Sequence, residues 1–275
     1  MPALTVACIQ MRSGVDVMAN VAAASALVRE AAADGAMLVA TPEMTTLLDR
    51  RPGKLLGQAR SEDEDIALPV LRALAAELRI ALLIGSIPIR VSGERCANRS
   101  FLIDPTGAIR ARYDKIHLFD VDLGPGQVYR ESNRFVAGDR SCVVAMDGYR
   151  LGLGICYDLR FPDLYRSLAR RGADLVTVPS SFTVPTGAAH WHVLLRARAI
   201  ETGCFVLAPA QHGLHEDGRE TYGHTLVVDP WGTVIAERPA DPGVVLARLD
   251  LDEVARCRRQ LPSLRHDRPW TIDDC

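Results

Sequence analysis

The 275-residue chain has no uninterrupted run of about 18 apolar residues, the length an ordinary membrane-spanning helix requires. Aromatics are scarce, at 5%, too few to build the stacking platforms that hold single-stranded nucleic acid. Charge of one sign is missing too. Lys and Arg number 32 against 34 Asp and Glu, a net charge of -2, so no basic field draws in phosphate backbones or anionic lipid. The segment from Met1 to Arg12 has no basic residues ahead of its short apolar run and does not read as a secretory leader. The 7 cysteines, at 8, 96, 142, 156, 204, 257 and 275, are odd in number and include no CxxC pair. Neither a disulfide framework nor a zinc ribbon is suggested, and a reducing cytoplasm is the expected setting. Phosphate-cradling glycine motifs are missing as well. Gly152-x-Gly154 follows an apolar run, but the third glycine of a dinucleotide fingerprint falls on Tyr157.

What is present is an ordinary globular composition, 48% hydrophobic and 24% charged, in a chain long enough to bury roughly 75% of its unfolded surface. Apolar strands alternate with helical periodicities. Strands are expected at Leu4–Met11, Met37–Ala40, Ala81–Ile89, Ser141–Ala145, Tyr149–Cys156, Asp174–Val178 and Cys204–Ala210. Helices are expected at Asp16–Asp34, Ile66–Arg79, Pro162–Arg171 and Ala188–Gly203. Hairpins are expected around Asp104-Pro105-Thr106-Gly107 and Asp229-Pro230-Trp231-Gly232, and a long loop from Asp114 to Arg140. The chain also repeats itself. Gly35-Ala36-Met37-Leu38-Val39-Ala40-Thr41-Pro42 parallels Gly172-Ala173-Asp174-Leu175-Val176-Thr177-Val178-Pro179, and the two Asp-Pro-x-Gly turns follow in the same order. Two such α/β halves, with no linker between them, imply one domain over 1–275 in which two sheets pack face to face with helices outside.

Three positions stand out chemically. Cys156 lies where an apolar strand gives way to Tyr157-Asp158 and a helix opening at Pro162, a strand–turn–helix context that presents nucleophiles in other hydrolases. A helix start there would favour thiolate. An arbitrary cysteine is more often a small buried hydrophobe. Glu43 follows a strand and Pro42 in the other half, and partial desolvation would raise its pKa toward that of a general base. Lys115, in Tyr113-Asp114-Lys115-Ile116-His117, heads the long loop and offers an ammonium to an oxyanion. Spacing alone does not bring the three together.

The segments Thr41-Pro42-Glu43-Met44, Tyr113-Asp114-Lys115-Ile116-His117-Leu118-Phe119-Asp120 and Gly154-Ile155-Cys156-Tyr157-Asp158-Leu159-Arg160-Phe161-Pro162 resemble those of the nitrilase superfamily of carbon–nitrogen hydrolases. The resemblance runs from the first strand to about Trp270. It implies an α/β fold, a four-layer αββα sandwich with an internal pseudo-two-fold repeat, and a Glu43–Lys115–Cys156 triad. It further implies that Tyr157 lends its backbone N–H to an oxyanion, that Glu131 orients Lys115 or substrate, and that Phe182, Thr186 and Arg160 contact substrate. Cys-Tyr-Asp-x-Arg-Phe-Pro resembles the amidase branch that includes deaminated glutathione amidase and omega-amidase. The implied reaction cleaves a primary amide of a small carboxylate substrate to acid and ammonia through a cysteine thioester. Deaminated glutathione is the favoured substrate, with 2-oxoglutaramate or 2-oxosuccinamate as the alternative. No cofactor and no metal are implied, and relatives suggest a homodimer or higher homo-oligomer with a tail from about 250 in its contacts.

Three other readings were weighed. His212-x-x-His215 with His224 offers possible metal ligands, but at no standard zinc spacing. The run Arg256, Arg258, Arg259, Arg265, His266 and Arg268 is a possible nucleic-acid patch with Trp270 as its lone nearby aromatic; a solvated helix face accounts for it better. A catalytically silent binding protein on the same fold is countered by retention of all three triad residues.

Overall fold

The computed structural model describes residues 3–124 and 126–273; Cys275 lies outside them. The first half runs β1 (Leu4–Gln10), α1 (Val17–Ala33), β2 (Leu38–Ala40), α2 (Lys54–Gln58), α3 (Ala67–Leu78), β3 (Ala81–Ser92), β4 (Arg95–Ile103) and β5 (Ile109–Asp114). The expected long loop instead holds a small ribbon, β6 (Asp120–Asp122) with β7 (Val128–Arg130), and β8 (Phe135–Val136) laid on β4. These pieces are only two or three residues long, too short for a periodic signal. The second half runs β9 (Cys142–Met146), β10 (Tyr149–Leu153), α4 (Pro162–Arg170), β11 (Leu175–Thr177), α5 (Val184–Thr202) and β12 (Phe205–Ala208). The hairpin β13 (His212–Leu214) and β14 (Glu220–Tyr222) comes next, then β15 (Thr225–Val228), β16 (Val234–Arg238), β17 (Gly243–Leu249) and α6 (Asp252–Gln260).

Two sheets result, ordered β17-β1-β2-β3-β4-β5 and β9-β10-β11-β12-β15-β16. Each begins with an antiparallel pair, continues through two parallel neighbours and ends in two antiparallel ones. The letter repeat is therefore a topological one. Its turns match bond for bond: Asp104 and Asp229 each accept from two downstream backbone N–H groups, and Gly107 and Gly232 take up φ near +82° and +89°. That left-handed backbone is what glycine permits.

The strands are apolar on both faces because each sheet is covered on both. In β1, Val6 and Cys8 join the core between the sheets, while Ala7 and Ile9 face Ala24 and Val28 of α1 and Leu71 of α3. The second sheet packs Leu175 and Val206 into the same cluster as Trp191 and Leu195 of α5. The layers are thus helix, sheet, sheet, helix, the expected αββα sandwich.

Three boundaries differ from expectation. Helix α5 begins at Val184, earlier than Ala188, because Pro185 is tolerated in a first turn whose N–H groups lack acceptors anyway. Strand β10 ends at Leu153, so Cys156 is not a strand residue; it opens a 3-10 turn over Cys156–Arg160. Two members of the basic C-terminal run are paired within the chain, and Arg259, Arg265, His266 and Arg268 are exposed. Arg258 donates to the carbonyls of Thr202 and Ala173, and Arg256 pairs with Asp250 and Glu253.

Gly85 in β3 shows how tightly the two halves meet. A Cβ there would lie 2.0 Å from the Thr41 carbonyl oxygen, 2.4 Å from that of Pro42 and 2.6 Å from Pro179 Cβ. Pro42 and Pro179 are the equivalent residues of the repeat, so the ends of β2 and β11 converge on this glycine. Backbone on one side and a proline ring on the other leave no flexible group to yield. Gly85→Ala is expected to lower the melting temperature by several degrees, which a thermal melt checks.

Candidate active site

Convergence of those strand ends carries Glu43 beside Ser181, and both face a cavity of about 210 Å³ that Lys115 and Cys156 also line. Glu43 is 3% exposed. Its Oε1 accepts from Lys115 Nζ at 2.9 Å and Asn98 Nδ2 at 2.9 Å. Its Oε2 accepts from the Ser181 backbone N–H at 2.9 Å and the Ser181 hydroxyl at 2.8 Å. The Cys156 thiol lines the same cavity, near enough for the Glu43 charge to act on it. Lys115, 2% exposed, is held from its other side by Glu131, at 2.8 and 3.1 Å. Glu131 is itself fixed by the Phe119 N–H at 2.6 Å.

Burial acts on all three triad groups, and its balance against neighbours differs at each. Desolvation works to raise the Glu43 pKa, but the Lys115 charge and the hydrogen bonds from Lys115 and Ser181 outweigh it, leaving the carboxyl below its ordinary range. Burial likewise disfavours the Lys115 ammonium, yet Glu131, Glu43 and the nearby Cys156 hold its pKa well above the usual lysine value. The Cys156 thiol is pushed well up, first by burial and then by the Glu43 charge, and Lys115 does not compensate. Two expectations are thereby corrected. Glu43 is not raised, because its donors outnumber the loss of water. Cys156 is not a resting thiolate, because burial beside a carboxylate outweighs Lys115 and any helix-start dipole.

Cys156 adopts φ +47°, a left-handed backbone that a side chain seldom takes up, and its N–H donates to the Pro179 carbonyl at 2.9 Å. The turn is fixed by Asp158, which is fully buried. One Asp158 oxygen accepts from the Tyr113 hydroxyl at 2.7 Å and the Ile155 N–H at 2.9 Å. The other meets the His117 N–H at 3.0 Å and its Nδ1 at 2.7 Å. Tyr113 and His117 flank Lys115, so one carboxylate registers the nucleophile's turn against the lysine's strand end. Asn98, on β4, does the same for the acids: its side chain bridges Glu43 and Glu131, and its carbonyl accepts from the Lys115 N–H.

Asn98, Ser181 and Asp158 were not singled out from the sequence. Ser181 was within reach, since it follows Pro179 as Met44 follows Pro42. Asn98 leaves only the faint signal of an amide inside a buried strand. Of the other expected residues, Tyr157, Phe182, Thr186 and Glu131 line the cavity, and Arg160 is not among its wall residues. The Arg160 guanidinium lies over the rings of Phe182 and Tyr157 and reaches His190 Nδ1 at 3.3 Å. The histidines of the metal reading do not converge among the described residues. His215 is bonded to Ser13 and Thr221, whereas His224 joins His192 around Glu237, at 2.6 and 2.9 Å. None of these histidines lines the cavity.

Removing Asp158 strands four donors in a buried site, each worth about 1–3 kcal/mol when left unpaired. Asp158→Ala is expected to lose several degrees of melting temperature and most turnover. A variant that melts like wild type would remove Asp158 from this positioning role.

Comparison with known proteins agrees with the geometry. A family model described as carbon-nitrogen hydrolase matches residues 5–259. The chain is 41% identical over 264 residues to a Synechocystis sp. protein named deaminated glutathione amidase, covering 94% of this chain and 96% of that one. It is 42% identical over 270 residues to the Homo sapiens protein of the same name, covering 96% and 82% respectively. Its fold is similar to the crystal structure of the C. elegans NitFhit protein, with a TM-score of 0.91 and 36% identity over 98% of this chain and 66% of that one, just under two thirds. With a buried Glu–Lys–Cys cluster at the seam of an αββα sandwich and a family match over nearly its whole length, the chain belongs to the carbon–nitrogen hydrolase family and is a hydrolase of carbon–nitrogen bonds other than peptide bonds.

Proposed function

We propose that this enzyme hydrolyses deaminated glutathione through a thioester on Cys156, with Glu43 as general base and acid and Lys115 as oxyanion donor. The observation that carries the reading is one cavity lined by Glu43, Lys115 and Cys156, in which the Glu43 carboxylate accepts from the Lys115 ammonium at 2.9 Å. The substrate follows the printed names of the full-length relatives.

In the resting site the thiol keeps its proton and Glu43 is ionised. As sulfur attacks the amide carbonyl, its proton passes to Glu43, so no free thiolate has to exist beside a carboxylate. The developing oxyanion is met by Lys115 Nζ and by the backbone N–H of Tyr157, an early residue of a turn whose first N–H groups have no acceptor within it. Collapse breaks the C–N bond, and Glu43 returns the proton to the leaving amine. Glu43 then deprotonates water, which attacks the thioester and releases the acid and the thiol. Glu131 keeps Lys115 charged and aimed.

Deaminated glutathione is the 2-oxo acid counterpart of γ-glutamylcysteinylglycine, so its scissile amide is secondary. The amine that leaves is cysteinylglycine, and ammonia is released only from primary amides such as 2-oxoglutaramate. A reducing, cytoplasmic setting fits the free thiols at Cys8, Cys96, Cys142, Cys156, Cys204 and Cys257, and the homo-oligomer rests on the family resemblance alone. Among the described residues no helix is long and apolar enough to cross a membrane.

Wild type is expected to form cysteinylglycine from deaminated glutathione and Cys156→Ala to form none, with an acyl adduct on wild type alone in quenched intact-mass spectra. Faster turnover of 2-oxoglutaramate would move the enzyme to the omega-amidase reading. Cys156→Ala turning over like wild type would end the thioester mechanism, and an inactive wild type would leave the silent binding protein. The pKa directions set the pH profile. A lowered Glu43 stays ionised down through its ordinary range, near pH 4, and a raised Lys115 stays charged past its own, near pH 10. The kcat/KM profile is therefore flat between about pH 6 and 8, with an acid limb only below about pH 4. An acid limb near neutrality would mean that Glu43 is raised after all.

A further inference from the structure

Four arginines that the triad does not use line the same cavity, and two of them, Arg134 and Arg219, are half-buried. Among the described residues neither of these two has a carboxylate oxygen within ion-pair distance. Arg134 reaches only a backbone oxygen, that of Asp49 at 3.2 Å. Arg219 places Nη1 3.4 Å from the Ser181 hydroxyl, and its Nε is buried with no acceptor. Burial and then the like charge of Arg219 lower the pKa of Arg134, and Glu131, Asp217 and Asp49 offset this only in part. Two half-buried guanidiniums on the wall of one cavity, one with an orphaned N–H, leave donor capacity that an anionic ligand group would fill.

Both are held by rigid structure. Arg134 directly precedes β8, and its carbonyl accepts from Cys96 of β4 at 2.9 Å. Arg219 sits at the tip of the β13–β14 hairpin, where its carbonyl accepts from the His215 N–H at 2.8 Å. His215 is the anchor of that tip. Its Nδ1 lies 2.8 Å from the Ser13 carbonyl, which only accepts, so Nδ1 carries the proton and Nε2 accepts from the Thr221 hydroxyl at 2.7 Å. Burial lowers its pKa to about 4, so the imidazole stays neutral and adds no third positive charge. The histidine motif that looked like a metal site thus serves to position an arginine.

The side of the scissile bond follows from Glu43. Its Oε1 faces Lys115, the oxyanion donor, while its Oε2 faces Ser181, whose hydroxyl is the one Arg219 approaches. The leaving nitrogen takes its proton from Glu43, so the group bonded to that nitrogen extends toward the arginines. We infer that Arg134 and Arg219 form a carboxylate subsite for the leaving amine, which takes the terminal carboxylate of a short peptide. This rests on the proposed substrate, whose cysteinylglycine half ends in a carboxylate about 7 Å along an extended chain from the scissile nitrogen. The pair favours such a peptide amide over a primary amide, whose leaving group carries nothing for it to hold.

The test compares deaminated glutathione with the analogue whose glycine carboxylate is capped as a carboxamide, in wild type, Arg134→Gln, Arg219→Gln and Arg219→Lys. Wild type is expected to prefer the free carboxylate, chiefly through KM. Each Gln variant should reduce that kcat/KM ratio about tenfold or more, the usual scale for a hydrogen-bonded charge pair. Arg219→Lys should fall between, since an ammonium keeps the charge and loses the fork. The ratio is internal to each protein, so a reduced folded fraction cancels. Ratios that stay at the wild-type value in both Gln variants overturn the subsite. So does an equal KM rise for 2-oxoglutaramate, which would put the pair on the acyl side. Wild type that fails to cleave deaminated glutathione overturns the proposed function itself, and this inference with it.

Discussion

A carboxylate, an ammonium and a second carboxylate are buried together at the seam between two sheets, and the rest of the site is organised around keeping them charged. Each such ion costs several kcal/mol to take out of water, and mutual attraction offsets that only where geometry is good and remaining hydrogen-bond positions are filled. Here they are. Glu43 receives Lys115, Asn98 and both donors of Ser181, and Lys115 lies between Glu43 and Glu131. The result is a base that stays ionised beside a thiol that stays protonated, so proton transfer is held back until substrate makes it favourable. Cys156 is not unusual as a thiol. Cys8, buried in β1, is also raised, to about 12; what separates the two is the carboxylate waiting at Cys156.

The pseudo-two-fold repeat is the means of assembling that cluster. Equivalent strand ends, at Pro42 and Pro179, are brought against Gly85, and each then delivers a polar residue to the same point, Glu43 from one half and Ser181 from the other. Lys115 enters from the end of β5 and Cys156 from the turn after β10, and Asp158 ties those two segments together. The proposed catalytic residues thus come from both halves of the chain, with the packed sheets as their rigid support. The segment from Asp114 to Arg140 closes the cavity and supplies Glu131 and Arg134. Most of it reads as loop in the sequence because its strands live by pairing with each other and with β4.

How much was legible varies with the range of the interaction. The apolar strands, the Asp-Pro-x-Gly turns and the repeated Gly-Ala motif are local signals. Burial on both faces removes polar alternation, and a left-handed turn position demands glycine, so the letters carry the α/β halves directly. The three motifs carrying Glu43, Lys115 and Cys156 marked the chemistry through resemblance, and the chain's own packing then set their contacts. Other properties depend on neighbours distant in sequence. The two pKa directions differ from expectation for opposite reasons: the donors that outweigh burial at Glu43 lie on β4, at the end of β5 and after β11, and at Cys156 the burial and the Glu43 charge that outweigh a helix-start dipole come only with tertiary packing. Asn98, Ser181 and Asp158 gave little sign of their roles for the same reason: a buried hydrogen bond is written in two places at once.

The sequence by itself determined the layers and the repeat, because hydrophobic periodicity and turn chemistry are properties of short segments, and its resemblance to a known family pointed to the proposed reacting groups. Only the tertiary structure decided which protonation states those groups hold and which arginines face the cavity. Charge in a buried site is set by the sum of its neighbours, and those neighbours, from Ser13 to Arg219, are joined by the fold alone.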